Sequence, residues 1–482
     1  MRYLPLLLLL SIIISCTPSD ATSTDEDQQA LEESIARIEN GLELNLQIRG
    51  IDSVQTYNIE DRLRELRIPG VSIAVLKDGE IAWARGYGMA DSAENRPVTT
   101  ETLFQAGSIS KPMAALRAHQ LVEQGMIHLD SNVNQYLTSW HVPDNEFTAN
   151  EKVTIRRILN HTAGLTVWGF PGYPRGDTIP TVPEILDGLG NTDSVRVYKE
   201  PGGGWQYSGG GYTIMQLMIT DLEKRTFPEI MKTEVLTPLG MERSTYENPL
   251  PARYHAQAAT GYLSDGSPVE GKWVVYPEMA AAGLWTTPSE LIMWAKEIQH
   301  IERNQQDGLL KVATVNEMLV RNEDDQGLGP VSARHYYGHG GADEGFRAEL
   351  VVWKEAPVAV VMMVNSNRGN ILLRELMISI AKEYDLPGYE PNIRTYNQQS
   401  EEQLAQYLGT YRFEEYGDAE MKLSEQGLEF SGEMFSSGSV YLLPESDTTF
   451  FNWDTGTYYN FRMEGGQVSG ISVSNLWAEK VE

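Results

Sequence analysis

Residues 104–116 read "FQAGSISKPMAAL" and set Ser108, Ser110 and Lys111 between an apolar lead-in and a helical run. Two readings compete for this stretch. In the bland one Ser108 is an N-cap and Lys111 a solvated side chain; a Ser-x-x-Lys standing alone favours that reading. In the other, Ser108 is a nucleophile and Lys111 its base. If Ser108 opens the helix, Lys111 follows one turn later on the same face, with Cβ atoms roughly 5–6 Å apart. Its amine then reaches a hydroxyl that is a poor nucleophile until something takes its proton. The helix start also points free N–H groups and a positive dipole end at charge developing near Ser108. Pro112 is tolerated in that first turn, where no N–H bond is lost.

Other chemistries fit less well. A P-loop needs glycine before the lysine and Ser or Thr after it, where this chain has Ser110 and Pro112. No serine stands in Gly-x-Ser-x-Gly, the signature of a nucleophile elbow. His-Glu-x-x-His and cysteine ligands are both missing, so no metal and no other cofactor is expected. His335 and His339 are four apart, but in "RHYYGHGGADEG", which reads as a Gly-rich turn entering a strand.

With 482 residues the chain is long enough for two or three domains. Its net charge of −29 argues against nucleic acid and anionic lipid surfaces as partners, since both would repel it. The lone cysteine ends "MRYLPLLLLLSIIISC", where Arg2 precedes an apolar run too short to span a bilayer. A small residue, Ser15, directly before Cys16 resembles a bacterial lipoprotein signal, in which cleavage leaves Cys16 as the lipidated first residue. The alternative is a plain signal peptide. The expectation is an exported protein, lipid-anchored to a bacterial membrane and facing the periplasm or the surface. "TPSDATSTDEDQQ" then reads as a flexible tether.

Farther on, Leu31, Ile35, Ile38 and Leu42 share a helical face. "VSIAVLKDGEIAWARGYG" alternates on both sides of Asp78-Gly79, a hairpin signal. From Leu129 to about Glu270 helical segments are expected, broken by Gly/Pro loops such as "PGYPRGDTIP". Thr287-Pro288-Ser289-Glu290 reads as a capping box with proline at the first helical position. "FRAELVVW" and "VAVVMMVN" are strand candidates, and a helix is expected from Ile371 to about Tyr384. The organisation predicted is a signal segment over 1–15, a tether and N-terminal helix over 16–50, and a main α+β domain over 51–386. A linker over 387–400 and a small all-β domain over 401–482 complete it. The main domain carries an antiparallel sheet at both chain ends around a helical insert.

Two more segments bear on the opening motif. "WQYSGGGY" places Tyr207, a phenol able to relay a proton, in a Gly-rich loop. "GHGG" places His339 before Gly340 and Gly341, which let a strand edge approach a substrate closely. Together, Ser108-Ile109-Ser110-Lys111, Tyr207-Ser208-Gly209 and His339-Gly340-Gly341 resemble the three ordered motifs of the serine β-lactamase and penicillin-binding protein superfamily. The likeness is to its class C-related branch, which includes esterases and D-amino-acid peptidases. "IPGVSIAVLKDGEIAWARGYG", "TIRRILNHTAGL", "LTPLGMERSTY" and "AAGLWTTPSEL" are similar to that family as well.

The resemblance implies a β-lactamase/transpeptidase-like fold over about residues 50–385. It makes Ser108 the nucleophile, Lys111 the base and Tyr207 the proton relay. The backbone N–H groups of Ser108 and Ala342 would form the oxyanion hole, and His339 would line the pocket. Gly209 departs from the family's usual Asn, and His339 from the lysine of true lactamases. The second change implies carboxylate recognition that is weaker and pH-dependent near neutrality. Both departures lean toward a serine hydrolase of small esters or amides, of esterase or D-aminoacyl peptidase type. A β-lactamase or D,D-carboxypeptidase is the alternative, and a catalytically silent binding protein on the same fold is a third reading. The partners expected are a small ester, amide or peptide substrate and, through the anchor, a membrane. The last domain resembles the small lipocalin-like barrels appended to such hydrolases, as a pocket cover, a partner surface or a stabilising appendage.

Overall fold

A computed structural model of the chain describes residues 25–51, 55–425, 427–435 and 438–481. The signal segment and Cys16 lie outside the described residues.

The Val/Ile-rich segments form the centre of one antiparallel sheet. Its strands are β1 (Gly70–Lys77), β2 (Glu80–Asp91), β3 (Arg96–Pro97), β4 (Val331–Ser332), β5 (Tyr336–Asp343), β6 (Phe346–Trp353) and β7 (Val358–Val364). They lie side by side in the order β3-β2-β1-β7-β6-β5-β4. Asp78 and Gly79 both take positive φ, +53° and +83°, as a tight hairpin between β1 and β2 requires. β1 and β7 are buried on both faces, so alternate side chains feed two cores. Ala74, Leu76, Val361 and Met363 face the helical insert; Val71, Ile73, Val360 and Met362 face the chain's terminal helices.

Five longer helices cover these faces: α1 (Asp25–Glu39), α2 (Ser110–Glu123), α3 (Gly209–Glu223), α4 (Pro288–Asn304) and α5 (Gly369–Glu383). Helix α1 packs Ile35 and Ile38 into the same core as Leu376 and Ile380 of α5. Its described residues begin at Asp25, inside the stretch read as a tether, so that part of the stretch is helical. Thr287 caps α4 as expected, with its hydroxyl accepting from the Glu290 N–H. The capping box is not completed, because the Glu290 carboxylate turns away to accept from the Arg243 N–H and the Ser244 hydroxyl.

The insert is less helical than the sequence suggested. Between Leu129 and Glu270 only α3 is long; Ile155–Leu159 and Val182–Leu186 are five-residue turns of helix, and Phe227–Met231 runs on into a π-helical turn, Lys232–Leu236. Proline and glycine break much of the remainder, but residues 144–163 hold neither, and there the helix capped by Thr154 still ends at Asn160. The segment read as a linker also contains structure. Asn392–Thr395 pairs in parallel with Leu46–Arg49, a ladder between the two ends of the main domain.

Beyond it, eight antiparallel strands between Gly409 and Lys480 close into a barrel, the last pairing with the first through Tyr411 and Lys480. Its core is packed with aromatic rings that meet edge-on or tilted. Tyr407 lies 4.9 Å from Phe450 and 4.6 Å from Phe461, and Tyr411 lies 5.6 Å from Phe430, ring centre to ring centre. Ile48, Leu443 and Phe451 form the small apolar contact where the barrel meets the N-terminal strand.

Candidate active site

The Ser108-x-x-Lys111 motif starts on a short 3₁₀ turn, Gly107–Ile109, that feeds directly into α2. Ser108 is therefore one turn before the α-helix rather than its first residue, and it caps nothing. Ser110 takes the local structural role instead: its hydroxyl donates to the Gly107 carbonyl (2.7 Å) and accepts from the Leu284 N–H (3.0 Å). That leaves Ser108 Oγ for other partners. Lys111 Nζ stands 2.8 Å from it, and the Tyr207 hydroxyl 2.9 Å. Lys111 is 2% exposed and also donates to the Ala281 carbonyl at 2.9 Å. A solvated lysine and a helix-capping serine do not look like this.

Tyr207 is held from behind. His161, at φ +59°, lays its ring 4.3 Å from the Tyr207 ring, centre to centre, and accepts from the Ser208 N–H through Nδ1. Burial and the neighbouring Lys111 keep the imidazole neutral by driving its pKa well down. The sequence reading missed His161, although it stands in "NHTAGL", one of the family-like segments; a histidine before a small-residue turn was the available signal.

His339 sits in β5, within the strand and not in a turn before it; the hairpin turn comes later, at Glu344-Gly345. Its Nδ1–H donates to the Gly340 carbonyl at 2.6 Å, and its Nε2 is buried without a partner. Burial, with help from Lys111, lowers its pKa to about 4. A histidine neutral down to that pH cannot supply positive charge near neutrality. The expected pH-dependent carboxylate contact is therefore corrected: His339 presents a neutral ring.

The glycines next to it have steric reasons. A Cβ on Gly341 would lie 2.0 Å from the Ala106 carbonyl oxygen. Gly107, at φ +52°, would place a Cβ 2.5 Å from the Ala342 nitrogen. Strand β5 and the turn before Ser108 thus meet backbone against backbone. β4 pairs only with Tyr337 and Gly338, so among the described residues no strand covers the β5 edge from His339 to Asp343. Gly340 projects to the exposed side of that edge.

Gly209 begins α3, and its missing side chain is equally specific. A Cβ there would lie 2.9 Å from Cε2 of Phe170 and 3.1 Å from the Trp168 carbonyl oxygen. The space an asparagine would enter is filled by the segment Thr166–Phe170.

Two buried carboxyl groups near the centre also escaped the sequence reading. Glu278 is fully buried with neither oxygen partnered, and burial pushes its pKa up to about 8. It precedes the short helix Met279–Ala282 that presents the Ala281 carbonyl to Lys111. Asp343 ends β5, buried, with one unpartnered oxygen; burial holds it well above the carboxylate range. Nothing in their sequence surroundings marks either as buried. Groups of His, Asp or Glu that would hold a metal are absent among the described residues.

Residues 57–381 match the family model "Beta-lactamase". The chain belongs to that family. Residues 394–480, covering the barrel, match a domain of unknown function, DUF3471. Penicillin-binding protein 4* of Bacillus subtilis (strain 168) is 30% identical over 198 residues, 40% of this chain and 42% of that protein. Esterase EstB of Burkholderia gladioli is 30% identical over 240 residues, 48% of this chain and 61% of that protein. The chain thus spans about half the length of the curated relatives it matches. Among solved structures, the octameric penicillin-binding protein homologue from Pyrococcus abyssi superposes with a TM-score of 0.60 at 20% identity, covering 94% of this chain and 100% of that one. The D-amino acid amidase from Ochrobactrum anthropi SV3 superposes with a TM-score of 0.57 at 22% identity, over 68% of this chain and 98% of that one. These two establish the fold. The β-lactamase/transpeptidase-like architecture read from the sequence, with its closed C-terminal barrel, is the one found.

Proposed function

We propose that the protein is a serine hydrolase that forms an acyl-enzyme on Ser108 with a small ester or amide. One observation carries this reading: Ser108 Oγ lies within hydrogen-bond reach of both Lys111 Nζ and the Tyr207 hydroxyl. In the acylation step Lys111 takes the Ser108 proton as Oγ attacks the carbonyl carbon. The N–H groups of Ser108 and Ala342 receive the oxyanion. The carbon–oxygen or carbon–nitrogen bond then breaks, and the leaving atom collects its proton through Tyr207. Water attacks the acyl group next, releasing an acid and restoring the serine. His339, Gly340 and Gly341 line the edge along which the substrate lies, and Gly209 makes room for the wall opposite.

A panel of short-chain nitrophenyl esters, D-alanyl amides and a chromogenic cephalosporin, run on the chain from Asp20 onward, tests the class of substrate. A serine-directed phosphonate should label Ser108, and Ser108→Ala should lose both label and turnover. Label on another serine sinks the mechanism. The β-lactamase or D,D-carboxypeptidase alternative draws on the similarity to penicillin-binding protein 4*. A silent binding protein would have no need of the three hydrogen-bonded groups.

The proposal extends to placement. An apolar run followed by the lone Cys16 supports export and lipid anchoring. Full-length protein should then fractionate with membranes, and Cys16→Ser should escape processing as a lipoprotein. Soluble mature protein from the unaltered gene would refute the anchor.

A further inference from the structure

Two exposed tryptophans stand at the mouth of this site, and the acyl-enzyme mechanism gives them no task. Trp168 is 68% exposed and Trp205 is 40% exposed, unusual for the largest apolar side chain. Their rings lie 5.4 Å and 6.4 Å from that of Tyr207, whose hydroxyl touches the nucleophile.

Trp168 is held there at a cost. Val167, directly before it, has φ +62°, a region that a β-branched residue enters only under constraint. The constraint comes from the start of α3. The Gly210 N–H donates to the Val167 carbonyl (3.1 Å) and the Gly209 N–H to the Trp168 carbonyl (3.0 Å). The Ser208 hydroxyl donates to the Thr166 carbonyl at 2.8 Å. Gly209 is what allows this approach, since any side chain there would strike Phe170 and the Trp168 carbonyl. A strained backbone, three hydrogen bonds and a side-chain deletion therefore converge on presenting an indole to solvent.

Resting on the acyl-enzyme reading, we propose that Trp168 and Trp205, with the face of Tyr207, form a wall that receives a neutral aryl or bulky apolar group on the leaving side of the scissile bond. The side follows from Tyr207. The group that returns a proton to the leaving atom must lie next to it, and the tryptophans flank that group. Neutrality follows from the surroundings. Lys199 Nζ lies 3.1 Å from where a Cβ of Gly204 would stand, and the Arg157 guanidinium 3.0 Å from that of Gly202. Arg157 is paired with Glu151 at 2.7 Å, so the charge that borders the loop carrying Trp205 and opposes a cationic guest is that of Lys199.

The test compares kcat/KM for the acetates of 2-naphthylmethanol and 2-methoxyethanol, alcohols of comparable acidity. The wild type should prefer the aryl ester. Trp168→Ala and Trp205→Ala should each lower that ratio about tenfold, the loss expected when one stacking partner is removed. Trp168→Phe should restore most of it. Deacylation should proceed at one rate for both esters, because the acetyl-enzyme is the same. A wild type without aryl preference, or an unchanged ratio in both alanine variants, overturns the wall. A preference that follows the acyl group instead overturns its placement, and a preference for choline acetate overturns its neutrality. If no ester is turned over and the phosphonate leaves Ser108 unlabelled, the acyl-enzyme reading itself has failed, which is a distinguishable result.

Discussion

The backbone nitrogen of Ala342 lies 2.5 Å from the point where Gly107 would carry a Cβ. Gly107, which precedes the proposed nucleophile, and Ala342, whose N–H is the proposed second oxyanion donor, are thus fitted to each other, and only glycine permits the fit. Gly107→Ala should push strand β5 away from the nucleophile turn and strain a backbone held at φ +52°. Losing one oxyanion donor lowers kcat by roughly 10²–10³. We expect acylation of that order or slower, with near-native circular dichroism and a lower Tm. Wild-type kinetics in this variant would place the oxyanion hole elsewhere.

Lys111 Nζ lies 2.8 Å from Ser108 Oγ; Lys111→Arg keeps the positive charge, but a guanidinium does not release its proton in the working range. Acylation should slow by roughly 10²–10⁴, the range credited to a positioned general base. Stopped-flow acylation with a nitrophenyl ester measures it, and a thermal melt checks the fold. An active arginine variant would reduce Lys111 to an electrostatic support.

Glu278 makes stability fall as pH rises. Its folded pKa, about 8, lies above that of a solvated carboxyl, so between the two values the folded state binds more protons than the unfolded one. Stability from this group is full below the unfolded pKa and is lost as pH climbs through about 8. Glu278→Gln cannot ionise. The wild type should lose Tm from about pH 5 to 8, and the variant should lose less over the same window. Parallel Tm curves for the two proteins would show that Glu278 is ionised in the folded state throughout.

The family's asparagine cannot simply be restored at Gly209, because Phe170 and the Trp168 carbonyl fill its place. Gly209→Asn should destabilise the fold by about 1–3 kcal/mol, as overpacking typically does, which a lower Tm would register, and should not create lactam turnover. The wild type, with neither that amide nor a charged His339, should hydrolyse activated esters far better than a cephalosporin. Comparable kcat/KM on the two substrates rejects this account of specificity.

Much of this could be read before the fold was known, for identifiable reasons. β1, β2 and β7 announce themselves through β-branched runs and an Asp-Gly turn, both local signals. Ser108, Lys111 and Tyr207 were legible because three motifs occur in order, although Tyr207 is ninety-nine residues from Ser108. What stayed hidden depends on distant packing. Glu278 looks like any surface glutamate until the insert closes over it, and His339 looks titratable until burial removes its charge. The short parallel strand Asn392–Thr395 was read as linker because its partner, Leu46–Arg49, lies at the other end of the domain.

The pairing of β1 with β7 sets an order of assembly. Val71 pairs with Val364 and Lys77 with Val358, so this central ladder joins the first strand of the seven-stranded sheet to its last. The β1–β2 hairpin can form early and locally, but both of its faces stay wet and one long edge stays open until β7 arrives. Contacts so distant in sequence make folding slow and leave a valine-rich edge exposed meanwhile. A nascent or truncated chain ending before Val358 would therefore be a sticky half-sheet rather than a smaller version of the domain, dependent on whatever shields it until the last strand of the sheet is in hand.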